Sequence, residues 1–153
     1  MSHAVQNSTL LLGAAFSATA AALHVGIVIK GAPWYRFFGA GERFTLAAEK
    51  GHGWHNVATL AIAFLLATFA AYALSGGGYL RALPQLKWVL CAITAVYLAR
   101  GVLGFLLILW PKRSHSMRFL VVSSAVCFGM GAVHLLGLVQ VWKMWNFSIF
   151  QAF

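Results

Sequence analysis

Arg100 is the residue whose type and position point most directly to chemistry. It lies near the centre of an otherwise apolar run, residues 88–110, where a guanidinium costs about 3 to 15 kcal/mol unless water or a polar partner reaches it. The chain contains only two carboxylates, Glu42 and Glu49, and both belong to one connecting segment. The sequence therefore predicts a polar site at this depth without naming its reaction.

Imidazoles and carboxylates are predicted to gather around Arg100 on one side of the membrane. They are His24 in the first apolar stretch and, in or beside the first connection, Glu42, Glu49, His52 and His55. An arginine that faces a cavity can bind an anionic headgroup or a carboxylate, whereas a desolvated imidazole can act as acid or base near neutral pH. The third alternative is a structural ion pair between Arg100 and Glu42 or Glu49.

Two histidine pairs raise the question of a bound cofactor. His24 and His134 could ligate a b-type haem, but about 1.5 Å of rise per residue separates them by about 13 Å along the membrane normal. His52 and His55 are three residues apart and could share a helix face, and a metal would need further ligands, which could come from Glu42 or Glu49, but the spacing marks no obvious third ligand. The sequence therefore predicts no metal site and leaves the cofactor unknown.

The composition places these residues in a membrane protein. Hydrophobic residues make up 61% of the 153 positions and charged residues 8%, a balance that a soluble domain of this size could not hide from water. Four stretches are long enough to cross about 30 Å of hydrocarbon as helices, namely residues 9–29, 54–74, 88–110 and 119–142. They predict an all-α bundle of four transmembrane helices that forms a single domain over residues 1–153.

The first connection, residues 30–53, is longer than two adjacent membrane helices require. Its aromatic residues alternate with cations, as is typical of a membrane interface, and Pro33 is expected to end the first helix. Residues 42–50 are predicted to form a short amphipathic helix with Phe44 and Leu46 toward lipid. The segment is either an interfacial anchor or a lid over a site.

Small residues indicate which helix faces pack closely. The predicted close-packing positions are Gly13, Ser17 and Ala21 in the first helix, and Ala125, Gly129 and Ala132 in the fourth. Ser8 is predicted to cap the first helix. Tyr97, Arg100 and Gly104 share one face of the third helix, because they are spaced by three and four residues.

The distribution of basic residues predicts the orientation in the membrane. Ten of the eleven Lys and Arg residues lie outside the spans or at their ends, seven in the first and third connections and three on the opposite side. By the positive-inside rule the first and third connections are cytoplasmic and both termini periplasmic. Most of the basic residues that give the net charge of +9 then lie where they contact lipid headgroups. We therefore expect no nucleic acid partner.

Three segments carry a resemblance to a known group of proteins: ALHVGIVIKGAPWYRFFGAGER, ITAVYLARGVLGF and GAVHLLGL, at residues 22–43, 93–105 and 131–138. They resemble small four-helix inner-membrane proteins of proteobacteria that have no assigned activity. The resemblance implies a bacterial inner-membrane location. It also implies that certain residues belong to the group's pattern, namely His24, Trp34, Arg36, Glu42, Arg100 and His134.

A second, looser comparison is with the membrane-associated eicosanoid and glutathione enzymes, which also have four helices in a chain of this size. Their second-helix motif is rich in arginine and asparagine. HGWHNVATL, at residues 52–60 of this chain, does not match that motif, so we carry none of their residues over.

The leading interpretation is a membrane protein that binds a lipid-like or small anionic ligand in a cytoplasm-facing pocket. Arg100 would anchor the anion, His24 would add a hydrogen bond, Glu42 would latch the loop and Trp34 would form an interfacial wall. The full set of predicted ligand-binding residues is Arg100, His24, Glu42, Trp34, Arg36, Glu49, His52, His55 and His134.

Two other classes stay open. One is an enzyme for a membrane-dissolved substrate, with His24 or Glu42 as acid or base. The other is a subunit of a larger membrane complex or a homo-oligomer, which small-residue faces left exposed to lipid would favour. No acidic residue lies in any span, which argues against exchangers that depend on a membrane carboxylate.

Overall fold

The protein is a bundle of α-helices, seen in a computed structural model that describes residues 6–109 and 117–150, with side chains as far as residue 143. The helices are α1 (Ser8–Lys30), α2 (Ala32–Phe37), α3 (Glu42–Glu49), α4 (Trp54–Gly76), α5 (Leu86–Ile108) and α6 (Met117–Phe150). Four of them, α1, α4, α5 and α6, are long and apolar enough to cross a membrane. The predicted fold class is confirmed.

The ends of α1 and α5 differ in detail from the prediction. Asn7, not Ser8, is the N-cap of α1: its side chain accepts a hydrogen bond from the Leu10 amide at 2.8 Å. The Asn7 amide group also donates to Gln140 of α6 at 2.8 Å, so the cap joins two helices as well. The described part of α5 ends at Ile108, and the predicted end at Trp110 lies outside the described residues.

The four long helices form an antiparallel bundle in which α1 and α5 occupy opposite corners. α1 packs against α4 and α6, and α5 packs against the same two helices. The backbone amide of Asn7 donates to the carbonyl of Gly77 at 3.0 Å, which places the start of α1 beside the end of α4. Side chains of α1 and α5 that contact each other must therefore extend from opposite corners into the centre of the bundle.

The predicted close-packing face of α1 is the one that enters the core. Gly13, Ser17 and Ala21 are all buried. Ser17 Oγ shares a hydrogen bond of 2.9 Å with the hydroxyl of Tyr97, across the bundle on α5. An atom placed at Cβ of Gly13 would lie 2.9 Å from Cε1 of His134 on α6, so the glycine lets the imidazole lie against the α1 backbone.

The predicted packing face of α6 is wrong in part. Ala125 and Gly129 are exposed, and no described residue outside the surrounding turns of α6 lies within 4 Å of a Cβ built on Gly129. The buried glycine of this region is Gly131, where an added Cβ would lie 2.8 Å from the Leu98 side chain of α5. Gly129 and Gly131 are equally suited to close packing. In the structure, the face of α6 that carries Gly131 and His134 is the one turned toward the other helices.

The short helices α2 and α3 form a compact turn at one end of the bundle, which we call the loop end. α1 and α5 finish there, and α4 and α6 begin there. α2 packs on α3, and α3 packs on the start of α4. The backbone at Gly39 has a φ of 67° and lies so close to Phe119 of α6 that an added Cβ would be 2.9 Å from the Phe119 Cβ. The turn is therefore held on α6 as well as on α4.

Candidate functional site

Arg100 lies in the half of α5 that is nearer the loop end. It is three residues beyond the midpoint of the helix Leu86–Ile108, and its side chain is half-buried. Its Nη2 donates to Ser123 Oγ of α6 at 3.3 Å. A Cβ on Gly104, one turn closer to the loop end, would lie 2.6 Å from Arg100 Nη1. The guanidinium thus extends along α5 toward the loop end and lies against α6.

The neighbours of the Arg100 guanidinium among the described residues are neutral. Besides Ser123, they include Ser124, whose Oγ occupies the space beside Gly104, and Cys127, which is close enough for an electrostatic interaction. The hydrogen bond to Ser123 is long for an N–H···O contact. Within the described residues, Arg100 has no carboxylate partner. Its charge is therefore not compensated by the described part of the chain.

The carboxylates belong to a different part of the molecule. Glu49 of α3 forms an ion pair with Arg36 of α2. Glu42 is exposed in the first turn of α3, where its negative charge interacts favourably with the helix dipole. The alternative of a structural ion pair between Arg100 and either carboxylate is consequently not realised among the described residues.

His24 and Trp34 lie near the loop end on the α1 side of the bundle. His24 is half-buried, and its Nδ1 donates to the carbonyl of Ala20 at 2.7 Å. Trp34 packs on α1 at Gly26, where an added Cβ would be 3.2 Å from the indole ring, and its ring centroid lies 5.7 Å from that of Phe38. Since α1 and α5 occupy opposite corners, these residues and Arg100 do not form one cluster of mutual contacts.

His52 and His55 differ sharply despite their spacing of three residues. His52 is exposed in the turn before α4, whereas His55 is buried in its first turn. The His55 ring lies 5.1 Å from the ring of Tyr35 and 6.2 Å from that of Trp54, and its Nδ1 has no hydrogen-bond partner in the described structure. His55 is thus part of an aromatic cluster.

Tyr35 is the centre of that cluster and the main attachment of the loop-end turn to α4. It is 1% exposed. Its hydroxyl donates to Thr59 Oγ1 at 2.8 Å, and the same O–H group has a second, longer contact of 3.2 Å with Asn56 Oδ1. The sequence did not predict this attachment, since an aromatic residue in an interfacial segment is expected at the level of the headgroups.

His134 lies in the middle of the bundle and far from Arg100 along α6. It is fully buried, its Nδ1 donates to the carbonyl of Met130 at 2.9 Å, and its Nε2 has no partner in the described structure. Its ring is 5.1 Å from the ring of Tyr97. Eleven residues separate His134 from Ser123, the neighbour of Arg100, which corresponds to about 16 Å of helix.

The sequence raised two possible cofactor sites, a haem between His24 and His134 and a metal at His52 and His55. His134 lies against Gly13 of α1, and eleven residues of that helix, about 16 Å, separate Gly13 from His24. Two axial imidazoles of a haem must face each other at one depth, and these two do not. Among the described residues, no group of three His, Cys, Asp or Glu side chains is arranged to hold a metal ion.

Ser123 and Ser124 are the site residues that sequence reasoning missed. Their signal was available, because two adjacent hydroxyls in an apolar helix stand out, but the register of α6 against α5 could not be derived from the sequence. The roles of His24, Trp34, Arg36, Glu42, Glu49, His52, His55 and His134 in binding remain predictions. No family model, curated protein or solved structure matches this chain.

Proposed function

We propose that this chain is a bacterial inner-membrane protein that binds a lipid-like or small anionic ligand on its cytoplasmic side, with Arg100 as the anion anchor. The observation that carries the proposal is the neutral surrounding of a guanidinium within a membrane span. Arg100 is bonded to a serine hydroxyl, and no described carboxylate compensates its charge. An anionic guest supplies the missing counter-charge and satisfies the remaining N–H donors.

The charge of the loop end favours such a guest. Four cations belong to α1, α2, α3 and the residue after α3, namely Lys30, Arg36, Arg43 and Lys50, and all are exposed. Only two carboxylates accompany them, and one of these is paired with Arg36. Basic residues at the cytoplasmic surface attract anionic lipids. The loop end thereby concentrates the class of ligand that Arg100 binds.

The proposed entry route is from the lipid leaflet next to α5 and α6. Residues 102 and 103 of α5 and residues 121 and 122 of α6 are exposed, so the surface beside Arg100 is apolar and lipid-facing. In this arrangement the acyl chain of a ligand lies along that surface, and its polar group meets the guanidinium from outside. The α2–α3 turn with Trp34, Arg36 and Glu42 borders the site on the aqueous side.

The experiment that tests the proposal is native mass spectrometry of the protein purified from bacterial membranes in mild detergent. We expect Arg100→Gln to lower the occupancy of co-purified anionic lipid by about tenfold, which corresponds to about 1.4 kcal/mol of binding free energy. Arg81→Gln, which removes an exposed cation at the opposite end of the bundle, is the matched control and should retain the lipid.

Arg100→Lys separates charge from geometry, because lysine offers a point charge where arginine offers a planar fork of donors. We expect it to retain part of the lipid occupancy. If Arg100→Gln leaves both thermal stability and lipid occupancy at the wild-type level, the proposal is wrong.

A second candidate function is that of a subunit in a homo-oligomer or a larger membrane complex. The observation that favours it is the small, exposed face of α6 at Ala125 and Gly129, where no described residue covers Gly129. Such faces let membrane helices approach each other closely. The same mass spectra report the number of copies and any bound protein. A strict monomer without a partner, across detergents that preserve lipid occupancy, counts against this candidate.

A further inference from the structure

Gly104 determines how Arg100 and α6 meet. A Cβ added at this position would overlap Ser124 Oγ and lie 2.6 Å from Arg100 Nη1. One turn earlier on α5, a Cβ added at Gly101 would lie 2.8 Å from the Phe128 Cβ of α6. α5 and α6 therefore approach each other closely along this stretch. Because Gly104 has no side chain, the Arg100 guanidinium and the Ser124 hydroxyl can both lie next to its backbone.

The Ser124 hydroxyl is a donor without an acceptor. It is 0% exposed, and its Oγ has no hydrogen-bond partner in the described structure. Other hydroxyls of the spans behave differently: Thr59, Thr68 and Thr94 each donate to the backbone carbonyl four residues earlier. A buried hydroxyl that forms no bond costs free energy. Ser124 is thus held with an unused O–H group beside a cation.

The guanidinium fork and the Ser124 hydroxyl together present three donors, one more than the number of oxygens in a carboxylate, so a carboxylate would have to share one oxygen between two donors. A guanidinium has five N–H donors in a planar fork that already matches the two oxygens of a carboxylate. Arg100 uses one of them for Ser123, and Ser124 adds an O–H donor outside the fork. A phosphate group has further oxygens that accept from this additional donor while two others engage the guanidinium. The donor set therefore fits a phosphate better than a carboxylate.

The depth of the site restricts the substituents that the phosphate can carry. Gly104, beside which Nη1 lies, is four residues from the end of α5, or about 6 Å along the helix axis. The 23 residues of α5 extend about 35 Å, against about 30 Å of hydrocarbon. The guanidinium then lies a few ångströms below the hydrocarbon boundary, where a second polar substituent on the phosphate would either be desolvated or have to turn back toward water, so this depth favours a phosphate with a single substituent.

We propose that Arg100 and Ser124 form a binding site for a phosphate group with at most one ester substituent, and that Ser124 makes the site prefer this group to a carboxylate. This inference rests on the proposed function of Arg100 and specifies the chemistry of its ligand. A lipid such as phosphatidic acid and free inorganic phosphate share this chemistry. The Ser124 O–H donates to one phosphate oxygen, and the guanidinium donates to two others.

The test is a binding titration of the full chain in nanodiscs of neutral lipid, followed by native mass spectrometry. The probes are phosphatidic acid, phosphatidylglycerol with the same acyl chains, oleic acid and inorganic phosphate. For the wild type we expect phosphatidic acid to bind about tenfold more tightly than oleic acid and more tightly than phosphatidylglycerol. Competition by millimolar inorganic phosphate would identify free phosphate as a second source, and lack of competition would assign the site to the lipid.

Ser124→Ala is the decisive variant. It should remove most of the preference for phosphatidic acid over oleic acid, because it weakens the binding of phosphatidic acid more than that of oleic acid. Ser75→Ala is the matched control, because it also removes a buried serine hydroxyl, one that is bonded to Arg81 and Leu83 at the opposite end of the bundle. Equal thermal unfolding of the two variants excludes a difference in folding.

The outcomes separate this inference from the proposed function. If anionic lipids bind in an Arg100-dependent manner, but phosphatidic acid has no preference or Ser124→Ala keeps it, the phosphate site is wrong and the proposed function stands. If Arg100→Gln changes no binding, both are wrong. Loss of the phosphate preference in Ser124→Ala, together with its retention in Ser75→Ala, supports both.

Discussion

At the scale of single residues, the core depends on a glycine that faces an imidazole. His134 is fully buried, and its ring lies against the backbone of Gly13. The His134 ring also lies 5.1 Å from the ring of Tyr97, whose hydroxyl is hydrogen-bonded to Ser17, so three polar side chains share the middle of an apolar bundle. Such a cluster tolerates little displacement, because each buried polar group has few alternative partners.

We expect Gly13→Ala to destabilise the protein by about 1 to 3 kcal/mol, because the added methyl forces a well-packed ring to move. The new Cβ would lie 2.9 Å from Cε1 of His134. Thermal unfolding in detergent measures the effect as a lower midpoint temperature.

Gly129→Ala is the control for Gly13→Ala, because it makes the same change in a helix. At Gly129 no other described helix lies within 4 Å of the added Cβ. Gly129→Ala should leave stability unchanged or raise it by up to about 1 kcal/mol, since alanine is the better helix former. Equal midpoints for the two variants would contradict the packing of His134 on Gly13.

The residue scale also shows what sequence could and could not establish about the site. Arg100 was identifiable because a guanidinium in an apolar run needs an explanation. Its neighbours Ser123 and Ser124 were not, because their position opposite Arg100 depends on the rotation and register of α6. The carboxylates looked like natural partners, since they are the only two in the chain, but Glu49 lies nearer to Arg36.

At the scale of secondary-structure elements, the loop-end turn is a fixed part of the bundle. The predicted amphipathic helix over residues 42–50 corresponds to α3, Glu42–Glu49. Leu46 is exposed as expected, but Phe44 packs between Tyr35 and Trp54, with ring centroids 6.1 and 5.0 Å away. α2 was not predicted, because it has only six residues and begins at the helix-breaking Gly31-Ala-Pro sequence.

We expect Tyr35→Phe to loosen this turn without unfolding the bundle. The variant keeps the buried ring but loses the hydrogen bonds to Thr59 and Asn56, at a cost of about 1 to 3 kcal/mol for the buried groups left without a partner. Hydrogen–deuterium exchange should then increase in residues 31–53 and stay unchanged in α5 and α6.

Tyr72→Phe provides the control for this prediction. Its hydroxyl donates to the carbonyl of Pro84 in an exposed contact of the opposite connection, at 3.2 Å, so the same atom is removed at the other end of the bundle. Exchange in residues 31–53 should match the wild type. Unchanged exchange in Tyr35→Phe would mean that ring packing alone holds the turn.

The four long helices illustrate why some elements are predictable and others are not. Length and hydropathy locate a membrane helix, because the bilayer imposes a minimum apolar length, and each predicted span has a counterpart in α1, α4, α5 or α6. Which face of α6 enters the core is a different question, because small residues occur on two faces. Ala125 and Gly129 met the spacing rule and are nonetheless exposed.

At the scale of the whole molecule, charge predicts the orientation. The loop end carries Lys30, Arg36, Arg43 and Lys50, and Arg118 lies at the start of α6. Lys112 and Arg113, which the prediction also counts, lie outside the described residues. The opposite end has Arg81, Lys87 and Lys143. The larger number of cations at the loop end predicts that this end faces the cytoplasm.

We expect a reporter fused to the C-terminus to reside in the periplasm. Alkaline phosphatase, which is active only after export, should be active in this fusion, and a green fluorescent protein that folds only in the cytoplasm should be dark. The same reporters inserted after Gly51, in the exposed turn between α3 and α4, should give the opposite result. Cytoplasmic signals from both positions would contradict the four-span topology, and reversed signals would contradict the orientation.

The length of α6 has a consequence outside the bilayer. Its 34 residues correspond to about 51 Å, which exceeds the 40 to 45 Å of a bilayer with its headgroups, whereas α5 is 11 residues shorter. Because α6 begins beside the α2–α3 turn, the surplus emerges from the opposite face as a continuous rod. Within the described residues, α6 therefore continues as one uninterrupted helix beyond the length that crossing a bilayer requires.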